Sequence, residues 1–490
     1  MTGPDGLFDV AALRALEARG IARAGGDGFA LMARAGQAAW RCLLEHWPDA
    51  VPLCVVCGPG NNGGDGYVLA THAQRSGRAT RLLALAPPRT PEARQAAAAF
   101  REAGGVVLPA DAGLGDAGIV VDALFGIGLA RAPDGEAARL VQAINGCGAP
   151  VLALDVPSGV DADSGAVPGS AVCATRTLEF IACKRGLRTG AAVDHVGALQ
   201  LARIGLDAGD FEGIKAGTSL LSCADLRLPR RARNAHKGLH GHVLCIGGEA
   251  GSGGAILLAA EAALRSGAGL VSVATRAAHV PALLARCPEA MAHAPEDADA
   301  AAALAARCDV IVIGPGLGQG AWSRALVDAA FASGKPCVVD ADALNLIARD
   351  GIALPRDCVL TPHPGEAARL LGRDIAAIQH DRFAAAAELA GRFGAVVVLK
   401  GAGSIIATVD AIPSVIGAGN PGMAVGGMGD VLTGVIAALC AQGLCGADAA
   451  RMGALLHACA GDGAAAGGER GLLGRDVIEA LRGVAMDSAA

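Results

Sequence analysis

The sequence predicts two α/β domains in series, each a mostly parallel sheet with helices on both faces. Three observations predict this. Short apolar, β-branched runs alternate with alanine-rich helical stretches along almost the whole chain, as parallel strands joined by crossover helices do. At 490 residues the chain exceeds the size at which one core stops growing. Apolar residues reach 52% while aromatic residues reach only 3%, so the core must be built by close packing of small side chains against sheets.

The elements fall into two series. The first has candidate strands at Leu53–Cys57, Thr80–Ala86, Ile119–Asp122 and Val151–Asp155, with helices at Tyr67–Ser76, Glu92–Ala103 and Glu136–Cys147 between them. From Gly205 to Leu228 the periodicity weakens into a stretch containing Gly205, Gly209, Gly213 and Gly217, with Pro229 beyond it, which reads as a linker. The second series has strands at His242–Gly247, Leu270–Ala274, Val310–Gly314, Cys337–Asp340, Val359–Thr361 and Val396–Leu399. Its helices include Ala255–Ser266 and Phe383–Phe393. These boundaries give domains at 1–212 and 219–490, which share a class and show no evident repeat.

Charge and cysteine usage exclude several classes. The 41 basic and 47 acidic residues form no basic block or stripe, so nucleic acid is not an expected partner. Fifteen cysteines is an odd number, and several lie in apolar runs, so reduced, buried thiols are expected. Cys54 and Cys57 form a CxxC, but inside an apolar strand and without a second pair at zinc spacing, so both read as core residues. Met1 to Val10 lacks the apolar core of a signal peptide, and no apolar run approaches the roughly 20 residues of a membrane helix. A cytoplasmic protein is the expectation.

In the first half, Cys57-Gly-Pro-Gly-Asn-Asn-Gly-Gly-Asp-Gly-Tyr67 follows a strand and opens a helix. Backbone amides there can approach a phosphate without intervening side chains, and two asparagines and an aspartate add donors and acceptors that a plain turn does not need. Asp122, in Val-Asp-Ala-Leu-Phe-Gly-Ile-Gly-Leu, and Asp155 with Ser158, in Leu-Asp-Val-Pro-Ser-Gly-Val-Asp, stand at two further strand ends. In a parallel sheet such ends converge on one crevice.

In the second half, Asn420-Pro-Gly-Met-Ala-Val-Gly-Gly-Met-Gly-Asp430 places glycines and an aspartate before an apolar helical run. This string resembles the anion hole and base of ribokinase-like enzymes, which implies that helix N-terminal amides stabilise charge on a transferring phosphoryl group and that Asp430 takes the proton of an attacking hydroxyl. Lys400-Gly-Ala-Gly-Ser404 offers a cation, two glycines and a hydroxyl at a strand end, where a nucleotide phosphate would fit. Thr361-Pro-His-Pro-Gly-Glu366 fixes His363 between prolines, and glycine-rich turns at Gly247–Gly254 and Gly314–Gly318 admit close approach of a dinucleotide.

These motifs carry two resemblances. From roughly Leu7 to Leu206, including Leu31–Gly36 (LMARAG), the chain resembles the YjeF N-terminal family, the NAD(P)H-hydrate epimerases. That resemblance implies a Rossmann-like three-layer domain. It implies that Asn61, Asn62, Gly63, Gly64 and Asp65, with Gly126, Ile127, Gly128, Leu129, Ala130, Arg131 and Ala132, hold the hydrated cofactor. Asp155 then contacts it as acid and base, and Asn62, Asp122 and Ser158 supply oxygens to a potassium ion.

From roughly Ser219 to Leu481 the chain resembles the YjeF C-terminal family, the ADP- or ATP-dependent NAD(P)H-hydrate dehydratases. This implies a ribokinase-like α/β domain in which Ala255, Gly316, His363 and Asp430 meet the hydrated cofactor. Lys400, Gly401, Ala402, Gly403, Ser404 and Gly429 would then meet ADP or ATP, carried with magnesium. Family members often read GGTGD and HKGDFG; here Met428 stands in the first string, and Leu239 and His240 in the second, which puts a role for Asn234–Gly238 in doubt. The implied activity epimerises the R and S hydrates of NADH and NADPH and dehydrates the S form, with ADP giving AMP and phosphate. A homo-oligomer acting on small molecules is expected. The alternative is a ribokinase-type small-molecule kinase with an N-terminal cofactor-sensing or protein-binding module.

Overall fold

The computed structural model describes residues 6–129 and 131–487. The chain divides into two compact units, Met1–Ser219 and Leu220–Ala490. In the first unit the strands are β1 (Leu7–Phe8), β2 (Leu53–Cys57), β3 (Thr80–Ala84), β4 (Val107–Pro109), β5 (Ile119–Ala123), β6 (Val151–Leu154), β7 (Arg176–Phe180), β8 (Cys183–Lys184) and β9 (Ala198–Ala202). Seven of them form one parallel sheet in the order β4-β3-β2-β5-β6-β7-β9, and β1 pairs with β8 separately.

Strand β2 is buried along its whole length because it lies between β3 and β5 with packed layers on both faces. Its alternation sends Leu53, Val55 and Cys57 into one core and Cys54 and Val56 into the other. The CxxC cysteines therefore point to opposite faces, and the reading of both as core residues holds. The chain runs outward from β2 through β3 to β4 and returns on the other side at β5. The strand order thus reverses between β2 and β5, and a crevice opens beyond their carboxyl ends.

The second unit repeats the logic with β10 (Ser219–Leu221), β11 (His242–Ile246), β12 (Leu270–Ala274), β13 (Met291–His293), β14 (Val310–Ile313), β15 (Cys337–Val339), β16 (Cys358–Leu360), β17 (Val396–Leu399), β18 (Ile405–Ala407) and β19 (Ser414–Ile416). The order is β10-β19-β18-β17-β16-β15-β14-β11-β12-β13, parallel from β13 to β17 and antiparallel at β17-β18 and β18-β19. Here the order reverses between β11 and β14. Helices Gly253–Arg265 and Met428–Ala441 pack backbone to backbone: a Cβ added at Gly434 would lie 2.1 Å from the Ala259 carbonyl oxygen. Small residues are what permit that approach, which accounts for the alanine and glycine content.

Three expectations are corrected. The helix expected from Tyr67 begins at Asn61, because Gly60 is already its N-cap, so Asn61–Asp65 are helical. The stretch Gly205–Leu228 is more than a linker: Phe211 and Ala216 enter the first core, and Leu221 and Leu226 the second. Cys223 and Cys459 form a disulfide, although eight other cysteines, Cys54 and Cys245 among them, are free and buried as expected. Among the described residues no helix is long and apolar enough to cross a membrane.

Candidate active sites

In the first unit a cavity of about 550 Å³ opens at the β2/β5 crevice. Asn61, Asn62 and Asp65 line it from the first turns of the helix Asn61–Arg75, and Gly126, Ile127 and Gly128 from the segment after β5. Gly63 and Gly64 are fitted closely against their neighbours. A Cβ at Gly63 would lie 1.9 Å from the Gly58 carbonyl oxygen, and one at Gly64 would lie 2.4 Å from the methyl of Met32. Leu129, Arg131 and Ala132 follow the lining residues, with Arg131 exposed, and Ala130 lies outside the described residues.

Asp155 follows β6 in a left-handed conformation, φ 65°, which a non-glycine residue adopts only when its surroundings enforce it. Its Oδ1 lies 2.6 Å from Lys184 Nζ and accepts the Phe180 N–H at 3.2 Å. The other oxygen faces Gly126, where an added Cβ would sit 3.2 Å away and crowd it, so glycine there leaves that oxygen room. Lys184 is 1% exposed and also donates to the carbonyls of Phe180 and Ala182. Glu179 holds it in place by accepting the Lys184 N–H, and is itself paired with Arg188 at 2.5 Å.

Two further carboxyls face the same space. Burial, with Asp155 nearby, raises Asp65 well above the usual carboxylate range, and burial and Asp155 also raise Glu17. Beneath them Asp122 is fully buried and accepts from Ser158 N, Ser158 Oγ and Leu124 N at 2.8, 2.6 and 3.2 Å. Burial pushes Asp122 up to about 6 against those hydrogen bonds. Both amide atoms of Asn62 are buried without a partner. Since buried polar groups are almost always satisfied, the unpartnered amide of Asn62 at the cavity wall marks a place for a cation or ligand.

In the second unit the glycine turns meet where the strand order reverses: Gly248 N donates to the Pro315 carbonyl at 3.1 Å and Glu249 N to that of Gly316 at 2.6 Å. A Cβ at Gly316 would lie 3.2 Å from Cβ of Ala255, so these two expected substrate contacts are neighbours. The charged centre is further along the sheet. Lys400, just after β17, places Nζ 2.6 Å from Asp340 Oδ1 and 3.8 Å from Glu366 Oε2. Burial works against its charge, yet Asp340 and Glu366 hold its pKa above the ordinary lysine value.

His363 caps the helix Pro364–Leu371, its Nδ1 accepting the Gly365 N–H at 3.0 Å while its own N–H bonds Glu366 at 2.8 Å. Burial, with Lys400 nearby, lowers its pKa. Gly429 and Asp430 sit in the first turn of the helix Met428–Ala441, capped by Gly427 at φ 95°. Burial and the neighbouring Asp340 push Asp430 up to about 7, near where a general base works best. Gly401, Ala402, Gly403 and Ser404 continue from Lys400 at the surface, with Ser404 Oγ bonded to the Gly401 carbonyl at 3.0 Å.

A family model described as NAD(P)H-hydrate dehydratase matches residues 243–482, and one described as the YjeF-related protein N-terminus matches residues 28–186. The bifunctional NAD(P)H-hydrate repair enzyme of Coxiella burnetii is 46% identical over 482 residues, spanning 97% of this chain and 98% of its own. The chain belongs to this repair-enzyme family. The Escherichia coli relative of the same name is 43% identical, over 93% of this chain and 89% of its own. A ribokinase-like superfamily protein of Enterococcus faecalis, 31% identical with a TM-score of 0.53, covers 56% of this chain and 98% of its own, bearing out the ribokinase-like expectation.

Within a repair-family chain, sequence reasoning passed over Lys184, Glu17, Asp340 and Thr433. Lys184 lies beyond β7, whose Arg176 and Glu179 disguise a buried strand; the signal was Lys-Arg-Gly-Leu at its end. Asp340 ended a recognised strand with no partner visible in sequence.

Proposed function

We propose that the first unit interconverts the R and S hydrates of NADH and NADPH, and that the second dehydrates the S form at the expense of a nucleotide phosphoanhydride. The observation that carries this reading is the end-to-end match of one chain to relatives named bifunctional NAD(P)H-hydrate repair enzymes, with a dehydratase family model over the second half and the YjeF N-terminus model over the first. Epimerisation at C6 requires the C–O bond to break and re-form. Asp155 gives a proton from its open oxygen to the departing hydroxyl, which leaves as water, and takes it back from the water that returns, while Lys184 holds the other oxygen in place. The nitrogen lone pair of the ring stabilises the cation left at C6, and water returns on either face.

Asn62, Asp122 and Ser158 fit a potassium ion: the donors are oxygens, the carboxylate is buried without a basic partner, and the amide is unsatisfied. Held by those oxygens, such an ion would supply charge stabilisation to the site.

In the second unit Asp430 takes the proton of the C6 hydroxyl as that oxygen attacks the terminal phosphoryl group. Lys400 and the amides of the Met428–Ala441 helix receive the developing charge. Phosphate then leaves C6 with its bonding electrons, the ring nitrogen assists, and loss of a C5 proton restores the dihydropyridine. With ADP the products are AMP and phosphate, and with ATP they are ADP and phosphate. Magnesium would be carried on the nucleotide phosphates, whose charge it would help to neutralise.

The test is recovery of reduced-nicotinamide absorbance from a mixture of both NADH-hydrate epimers, with magnesium, potassium and ADP or ATP. Recovery beyond the S fraction, faster than spontaneous exchange and stoichiometric with phosphate, is expected. No recovery from folded protein with either nucleotide overturns the reading.

A further inference from the structure

Asp340 stands at the end of β15, 2% exposed, and is followed by Ala341 at a left-handed φ of 48°. Its Oδ1 takes Lys400 Nζ at 2.6 Å. Its Oδ2 lies 3.0 Å from Thr433 Oγ1, whose hydroxyl is also 2.7 Å from the Gly429 carbonyl. These contacts tie three segments together: the end of β15, the loop after β17, and the helix turn that carries Asp430. Gly429 is fitted against the same pair, since a Cβ there would lie 3.1 Å from Lys400 Nζ and 3.2 Å from Asp340 Oδ2.

We propose that Asp340 is a positioning residue of the phosphoryl-transfer site, fixing Lys400 against the turn that bears Gly429 and Asp430 and setting its own carboxylate against that turn. This rests on reading the second unit as a nucleotide-dependent dehydratase. The charged groups facing Asp430 are Asp340 at the end of β15, Asp342 in the helix after it, Lys400 after β17 and Glu366 in the helix Pro364–Leu371. His363 caps that last helix, and His457, from the helix Gly446–Ala464, faces Lys400 and Met428. Only Lys400 favours the ionised base; after burial, Asp340 opposes it most. The geometry thus gives Asp340 two effects with separable signatures. Loss of its hydrogen bonds loosens the site, and loss of its charge moves the pH at which the base becomes competent.

The test compares the full-length protein with its Asp340→Asn and Asp340→Glu variants, following kcat/KM for dehydration of the S hydrate of NADH with ADP and magnesium across the pH range. In Asp340→Asn the acid limb is expected to move down by about 1 pH unit while the plateau kcat falls about tenfold. Asp340→Glu keeps the charge and so keeps the limb within a few tenths of its wild-type position. An unmoved limb in Asp340→Asn overturns the inference, whatever happens to the rate. Should that variant be inactive, ¹³C-carboxyl aspartate NMR of the full chain, with Asp430→Asn for assignment, follows the Asp430 titration directly. A downward move supports the inference and no move overturns it. Absence of nucleotide-dependent dehydration in the wild type would defeat the dehydratase reading instead, and the NMR arm would still decide the role of Asp340.

Discussion

Replacing Lys184 by methionine removes a buried cation while keeping most of its stem. The pair it breaks is 2.6 Å long, with Lys184 1% and Asp155 14% exposed. At that distance, with an effective dielectric constant of about 20, the attraction is about 6 kcal/mol, part of which offsets the desolvation of both groups. Removing one partner strands the Asp155 carboxylate near Asp65 and Glu17, so the first unit should lose about 3–5 kcal/mol. An exposed ion pair would cost less than about 1 kcal/mol, which makes the outcomes separable. Removing both charges, in Lys184→Met with Asp155→Asn, should recover at least about 2 kcal/mol because no ion is left uncompensated. The assay is urea unfolding read by hydrogen exchange of peptides from β2, β5 and β6, which reports on this unit alone. A cost under about 1 kcal/mol, or a double variant no more stable than the single one, would refute the view that this pair is a buried, mutually dependent unit. Epimer exchange should be lost in both variants.

Asn62→Leu removes both unpartnered amide atoms, so it should leave stability unchanged or raise it by about 1 kcal/mol while abolishing the response of epimer exchange to potassium; thermal unfolding and a potassium titration check the two halves. Nucleotide-dependent dehydration should decline as pH falls through about 7, because Asp430 must be ionised to accept a proton and its raised pKa keeps it protonated below that point. Asp430→Asn should cut turnover by roughly 10²- to 10⁴-fold and leave the nucleotide Kd within about threefold, measured by single-turnover kinetics and equilibrium binding. Cys223→Ser should cost the oxidised second unit about 2–4 kcal/mol and cost the reduced protein nothing further, as calorimetry with and without a thiol reductant would show.

The fold was legible wherever period and length agreed. Buried strands such as Leu53–Cys57, covered throughout, and Val396–Leu399, covered but for Val396, were found to the residue, because strands covered on both faces leave continuous apolar runs. Strands β7 and β9 were not: Arg176, Glu179 and Gln200 interrupt their apolar pattern, and the partner that makes Glu179 tolerable at 0% exposure, Arg188, lies in a separate turn. At the sites, the sequence exposed residues whose reason is local. The glycines before Asp430 and the Asn-Asn-Gly-Gly-Asp string declare themselves because backbone approach and N-terminal amides depend on neighbours in sequence. Lys184 and Asp340 depend on neighbours in space: Asp340 meets a lysine 60 positions away and a threonine 93 positions away, and no local pattern records either contact.

The two units reach the same electrostatic solution on different sheets. In each, a lysine, buried at Lys184 and part-buried at Lys400, lies 2.6 Å from an aspartate set immediately after a strand, and in each a non-glycine residue at that strand end is held left-handed, Asp155 at φ 65° and Ala341 at 48°. Both reactions begin with a C6 hydroxyl that is a poor leaving group. On the proposed mechanism each site must therefore carry charge near C6 before the substrate arrives, without leaving that charge unbalanced. A lysine–aspartate pair does this: it is neutral overall, its geometry is fixed by hydrogen bonds to neighbouring carbonyls or hydroxyls, and one end can be directed at the reacting group. The strain at the strand end is the structural cost of aiming it, borne where the sheet is stiff enough to enforce it. On this argument Ala341→Gly, which relieves the strain without touching a charge, should stabilise the second unit by up to about 1 kcal/mol yet lower kcat, by letting Asp340 wander from Lys400. A variant that gained stability and kept full kcat would show that the strained turn does not position the pair.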